Sequence, residues 1–168
     1  VLVISPLISL MKDQVEGLRR LGFEAVEINS TLDPAERARR LEGFRAGRYE
    51  LVYLAPEALD GPLRELVNRA PVSLLVVDEA HCISDWGHDF RPEYRNIMRF
   101  LETSGRPPVA AFTATATPVT RADIEASLDL RDPARFLSTV DRPNLQWSVS
   151  HAGAGPRRFE ELVNAVRR

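Results

Sequence analysis

Asp78-Glu79-Ala80-His81 stands directly after the apolar run Ser73-Leu74-Leu75-Val76-Val77, and these residues are the ones best suited to chemistry. In open parallel sheets, ligands gather at the carboxyl ends of the strands. An aspartate there can hold Mg²⁺, directly or through water, and the metal in turn bridges phosphate oxygens of a nucleotide. A glutamate beside it can orient or deprotonate an attacking water. The plainer alternative is an acidic turn that caps the next segment.

A second concentration follows at once. Trp86, Phe90 and Tyr94 recur every four residues among His88, Arg91 and Arg95. On a helix that spacing would stack the rings on one face as core. Gly87 and Pro92 interrupt a helix across 85–93 and favour a shaped loop. Exposed aromatics in such a loop stack on unpaired bases while arginine engages phosphate. Thr113 and Thr115 follow a strand end, where their hydroxyls can reach the 78–81 segment, and Thr117 suits the cap of a helix starting at Pro118. Ser5 and Ser9 fall in the first turns of a helix whose N-terminus attracts phosphate, with Lys12 further along it. A capped helix and a solvated lysine are the plainer readings there. His81, Cys82 and His88 match no common zinc spacing and have no second Cys or His pair nearby, so no zinc is expected in this segment.

The elements that must position these residues are legible as an alternation. Val1–Ile4, Glu24–Ile28, Leu51–Leu54, Val72–Val77 and Val109–Phe112 read as strands. Helices are expected from Ser5-Pro6 to near Gly22, from Asp33-Pro34 to Gly47, from about Glu57 to Arg69, through Ile97 and Leu101, and from Pro118 to Leu128. Such an order predicts an α/β fold, a parallel sheet with helices on both faces. Beyond Asp132-Pro133 the pattern changes to two short strand-like pieces, Phe136–Thr139 and Leu145–Val149, and an amphipathic helix carrying Phe159, Leu162, Val163 and Val166. That tail is too short to bury a core of its own.

The 168 residues are 44% hydrophobic and 27% charged, the balance of a globular chain with a real core. No apolar run approaches the roughly 20 residues of a membrane span, and no secretory signal is expected. The net charge of −2 argues mildly against a dedicated nucleic-acid binder, although a basic groove can coexist with an acidic remainder. The single cysteine, Cys82, has no internal disulfide partner and fits a reducing compartment.

Asp78–His81 after an apolar strand resembles the second motif of the superfamily 2 nucleic-acid translocases. The run Ala80–Arg95 (AHCISDWGHDFRPEYR) is similar to the aromatic-rich loop of RecQ-type DNA helicases. Val3–Val15 resembles that family's motif Ia, Tyr53–Leu59 its motif Ib region, Phe112–Thr117 its motif III, and Asp141–Leu145 the run that opens its second motor lobe. Val140 departs from the aromatic the family places before that run. The resemblance implies an incomplete RecA-like lobe over 1–134, then a linker with the first strand and helix of a second lobe over 135–168. It implies an ATP-dependent 3′–5′ DNA helicase of recombination and repair in the bacterial cytoplasm, at the nucleoid. ATP and Mg²⁺ would be its cofactors, and single-stranded DNA and duplex junctions its partners. Asp78, Glu79 and His81 would then be catalytic, with Asp78 on Mg²⁺, and Thr113 and Thr115 would couple the lobes. Ser5, Ser9, Lys12, Trp86, His88, Phe90 and Arg91 would meet DNA, the aromatic loop signalling to the ATP site.

A nucleoside triphosphatase of this architecture grips phosphates with a glycine-rich loop ending Gly-Lys-Ser/Thr. No such run occurs in the 168 residues, and the one lysine, Lys12, lies between Met11 and Asp13. The resemblance places that loop before motif Ia, so the chain is expected to be part of a first motor lobe and inactive alone. Two alternatives stand beside this. A non-catalytic module could use the aromatic loop to hold single strands or a partner. An RNA helicase of the DEAH group would share the carboxylates without accounting for Trp86–Tyr94. Oligomeric state is left open.

Overall fold

Leu2, Val3 and Ile4 form β1 (Leu2–Ile4), and their side chains alternate between two cores as the two-residue period of a strand requires. Leu2 and Ile4 enter one core and Val3 the other. The computed structural model describes residues 1–60, 65, 67, 69–86, 89–138, 142–145, 149, 159, 163 and 164. Four further strands, β2 (Ala25–Ile28), β3 (Leu51–Leu54), β4 (Leu75–Val77) and β5 (Val109–Ala111), complete a sheet of order β2-β3-β1-β4-β5. Every pairing is parallel, and the register sets Leu2 beside Val52 and Leu75, with Val109 next along.

Helices cover both faces. From α1 (Ile8–Arg20), Met11, Val15 and Leu18 pack on the Val3 side. From α2 (Pro34–Arg45), α3 (Arg95–Thr103) and α4 (Pro118–Ser127), Phe44, Ile97, Phe100, Leu101 and Ile124 pack on the Leu2–Ile4 side. Asp33 caps α2 through Oδ1, which accepts from Ala35 N at 3.0 Å and Glu36 N at 2.9 Å. Thr117 caps α4 by accepting from Thr120 N at 3.2 Å. Just beyond α1 and α2, Gly22 and Gly47 take φ of +90° and +66°, which a side chain would oppose.

Four expectations need correction. The first helix opens at Ile8, with Leu7 at its cap position and no side-chain cap. Ser5 instead continues the sheet ladder, its N–H donating to Leu54 O at 3.0 Å. The central strand spans only Leu75–Val77 rather than 72–77. Where a helix was expected from Glu57, Pro56–Leu59 forms a 3₁₀ turn; Glu65 and Val67 are helical, and the residues around them lie outside the described set. Finally, Phe136, Leu137 and Ser138 are not in a strand, and Phe136 and Leu137 are exposed; Thr139 and, of the expected Leu145–Val149, residues 146–148 lie outside the described residues, with Leu145 and Val149 irregular.

The chain divides into two compact units, Val1–Pro133 and Ala134–Arg168. In the second, Phe159, Val163 and Asn164 are helical, while Leu162, Val166 and Val140 lie outside the described residues. Among the described residues no helix is long and apolar enough to cross a membrane.

Candidate active site

The neighbouring strands β1 and β4 and the edge strand β5 deliver their carboxyl ends to one place. Asp78 follows β4 directly, and its N–H donates to Ile4 O at 2.9 Å, so it leaves the sheet in a fixed direction. Its carboxylate is held at both oxygens: Ser5 Oγ donates to Oδ2 at 3.0 Å, and Glu79 N donates to Oδ1 at 3.0 Å. Glu79 sits in the left-handed region at φ 48°, ψ 44°, an arrangement costing on the order of 1 kcal/mol for a residue with a Cβ. That turn starts the 3₁₀ segment Ala80–Ile83, which Ala80 N pins to Phe112 O at 2.9 Å. His81 is thereby turned inward and is buried, with Nδ1 at 2.9 Å from Thr113 Oγ1 and 3.2 Å from Glu79 Oε2. Asp78, Glu79, His81 and Thr113 thus meet at the carboxyl edge of the sheet.

Ser5 changes groups. It is fully buried with its hydroxyl on Asp78, so it cannot touch a DNA backbone and belongs with the carboxylates. Thr115 is exposed, and its N–H donates to Thr113 Oγ1 at 3.3 Å, which joins it to the cluster by way of Thr113. Ser9 and Lys12 are exposed on α1, three residues apart and so on one side of the helix.

The aromatic segment divides by burial. Trp86 is 79% exposed, with its N–H donating to Ser84 Oγ at 3.2 Å. Phe90 is half-buried under the Arg95 guanidinium, 5.2 Å from the ring centre. Tyr94, at 1% exposure, is core rather than a stacking surface, and its hydroxyl donates to Asp78 O at 2.9 Å. Sequence spacing alone gave no sign of that bond. Burial, with nearby negative charge, holds the Tyr94 phenol well above its ordinary range. Arg91 donates through its N–H to Cys82 O at 2.9 Å, ion-pairs with Asp89 at 3.2 Å and reaches Pro6 O at 3.5 Å. His88 lies outside the described residues. Burial and the Asp89 charge push the Cys82 thiol up to about 11, which makes it an unreactive thiol at neutral pH.

Asp78 carries the donor chemistry Mg²⁺ requires, a half-buried carboxylate oriented by two hydrogen bonds at a strand end. Glu79 presents a second carboxylate, linked through His81 to Thr113 at the end of β5. Such an arrangement can hold a metal–nucleotide and an attacking water, but the 168 residues hold no Gly-Lys-Ser/Thr run to grip the phosphates.

Residues 1–124 match the family model described as DEAD/DEAH box helicase. The chain is 44% identical over 168 residues to the probable ATP-dependent DNA helicase RecS of Bacillus subtilis, covering 99% of this chain and 34% of that protein. It is 43% identical to the ATP-dependent DNA helicase RecQ of the same organism, covering 99% of this chain and 28% of that one. The chain therefore spans about a third or less of the length of these curated relatives. Among solved structures, the Hef helicase domain of Pyrococcus furiosus matches with a TM-score of 0.54 at 23% identity, over 77% of this chain and 27% of that one. That last likeness is one of fold, the RecA-like parallel α/β sheet.

Proposed function

The chain belongs to the DEAD/DEAH box helicase family, and from that premise we propose that it is the motif Ia to motif III part of a RecQ-type helicase, coupling ATP hydrolysis to 3′–5′ unwinding of DNA. The observation that carries this reading is the joining of two sites. Tyr94, at the end of the aromatic loop, donates to Asp78 O at 2.9 Å, so the loop is bonded to the residue that would hold the metal. Asp78 would bind Mg²⁺ with the nucleotide, and the ion would neutralise phosphate charge. Glu79 orients the attacking water and accepts its proton at the carboxylate. His81 holds Glu79 in place and links it to Thr113, a route by which the end of β5 senses the carboxylates.

Trp86, projecting into solvent, would stack on unpaired bases, and Phe90 and Arg91 of the same loop would add further contacts to DNA. Ser9 and Lys12 would meet the phosphate backbone from α1. Residues 135–168 would open a second RecA-like lobe, and action at the bacterial nucleoid in recombination and repair follows from the same reading. In a protein that carries these residues together with a phosphate-binding loop and second lobe, Asp78→Ala should lower ATPase activity by roughly a thousandfold and spare DNA binding. Trp86→Ala should leave basal hydrolysis intact and remove its stimulation by single-stranded DNA. Undiminished stimulation in Trp86→Ala would overturn the sensing role.

A further inference from the structure

Three unlike donor atoms meet where the aromatic loop returns to the carboxylate segment. His81 Nε2 lies 3.8 Å from Cys82 Sγ, and Sγ lies 3.9 Å from Asp89 Oδ2. All three ligand atoms fall within 4.8 Å of one another. Sequence spacing pointed away from a metal here, because the familiar zinc patterns rest on Cys and His pairs. Folding supplies the third donor: Arg91 N–H donates to Cys82 O at 2.9 Å and so carries Asp89 back beside the thiol.

We propose that His81, Cys82 and Asp89 form a binding site for a borderline-soft divalent cation of the zinc class, with water completing four-fold coordination. This replaces the expectation that the segment holds no zinc, and it does not depend on the proposed helicase function. A sulfur donor beside an imidazole selects Zn²⁺ or Co²⁺ and rejects the oxygen-seeking Mg²⁺. Tetrahedral zinc with these donors separates ligand atoms by about 3.3–3.6 Å. The two sulfur distances therefore need to close by only a few tenths of an ångström. The carboxylate must also move toward the ring, and Asp89 is the exposed member of the three, free to do so. The imidazole is already held from behind, with Nδ1 near Thr113 Oγ1 and Glu79 Oε2. A carboxylate at the rear nitrogen favours the proton there and directs the Nε2 lone pair forward, as in carboxylate–histidine–zinc arrangements.

Binding carries two costs. The thiol must give up its proton to solvent, and the cation must compete with Arg91 for Asp89. The Arg91–Asp89 pair is partly exposed, its side chains 35% and 49% accessible, so solvent screening moderates that competition. Occupancy would tie the aromatic loop to the 78–83 segment and release the Arg91 guanidinium from Asp89. The cation would therefore act as a lock on the loop.

Co²⁺ titration of the 168-residue chain tests this, because Cys82 is the only cysteine and any sulfur-to-cobalt charge-transfer band reports on it. The expected result is a near-ultraviolet band that saturates at one equivalent, is abolished by Zn²⁺ and is untouched by excess Mg²⁺. Asp89→Asn, a surface change that leaves the core alone, should raise the dissociation constant roughly tenfold or more. Cys82→Ser should abolish the band. Absence of the band in a chain with native circular dichroism overturns the site. So does a band whose midpoint is the same in Asp89→Asn, and that variant decides the matter even if Cys82→Ser fails to fold.

Discussion

Ser5 shows how one residue's role passes from one element to another. Ser-Pro reads as a helix cap followed by a first-turn proline, and both preferences are real. Two bonds that no local pattern encodes outweigh them: the ladder bond to Leu54 O, and the hydroxyl donated to Asp78 73 residues away. Tyr94 was hidden for the same reason, since its partner is the backbone of a residue 16 positions earlier. Asp78, Glu79 and His81, by contrast, were legible because a strand end fixes where its next residues go. If Ser5 orients Asp78 for a metal, Ser5→Ala in the loop-bearing protein should raise the Mg²⁺ needed for half-maximal ATPase activity about tenfold, about 1.4 kcal/mol of a charge-assisted bond. Saturating Mg²⁺ should restore the rate. An unchanged Mg²⁺ dependence would make Ser5 a packing residue only.

At the scale of elements, turn chemistry was the most readable layer. Asp33 and Thr117 cap α2 and α4 through bonds made within three residues, so sequence contains the whole interaction. The short β4 and the irregular 136–138 were not readable, because strand length depends on what lies alongside. The edge strand β2 illustrates a tertiary device of this kind. Its Glu27 is buried on a sheet edge and meets Arg40 of α2 at 2.8 Å, and Arg40 also bonds Glu27 O at 2.7 Å and Glu36 Oε1 at 2.6 Å. Arg19 reaches Glu27 only at 4.0 Å. Arg40→Met should therefore strand a buried carboxylate and cost about 3 kcal/mol, read as a lower urea midpoint at unchanged slope. Hydrogen bonds from Arg40 and Arg39 hold the Glu36 carboxyl below its ordinary 4.5. A depressed carboxylate stabilises the fold above that value, and the contribution is lost as the pH falls through the lower, folded-state value. Thermal melts from pH 6 to pH 3 should show the decline, and Glu36→Gln should flatten it; an equal slope in both would remove the network from the acid response.

The whole molecule joins the carboxylate part of the proposed nucleotide site to a sequence without a Gly-Lys-Ser/Thr run. Both cores are dense and the sheet runs through five strands, so Val1–Pro133 has the means to fold around its site. The carboxylates are oriented before any ligand arrives. What the 168 residues do not contain is the backbone cradle and lysine that carry most of the grip on nucleotide phosphates. These facts predict a chain that folds yet ignores ATP. A competent site filled at a hundred times its Kd would add about 2.7 kcal/mol, roughly 5–10 °C of Tm at this size. The 168-residue chain should show no such shift with Mg-ATP and no phosphate release stimulated by single-stranded DNA. A chain with a Gly-Lys-Ser/Thr loop joined ahead of Val1 should show the shift, and Asp78→Ala within it should weaken it. DNA-stimulated hydrolysis by the 168 residues alone would mean that phosphates are held by groups other than such a loop, and Asp78 and Glu79 would then belong to a different kind of site.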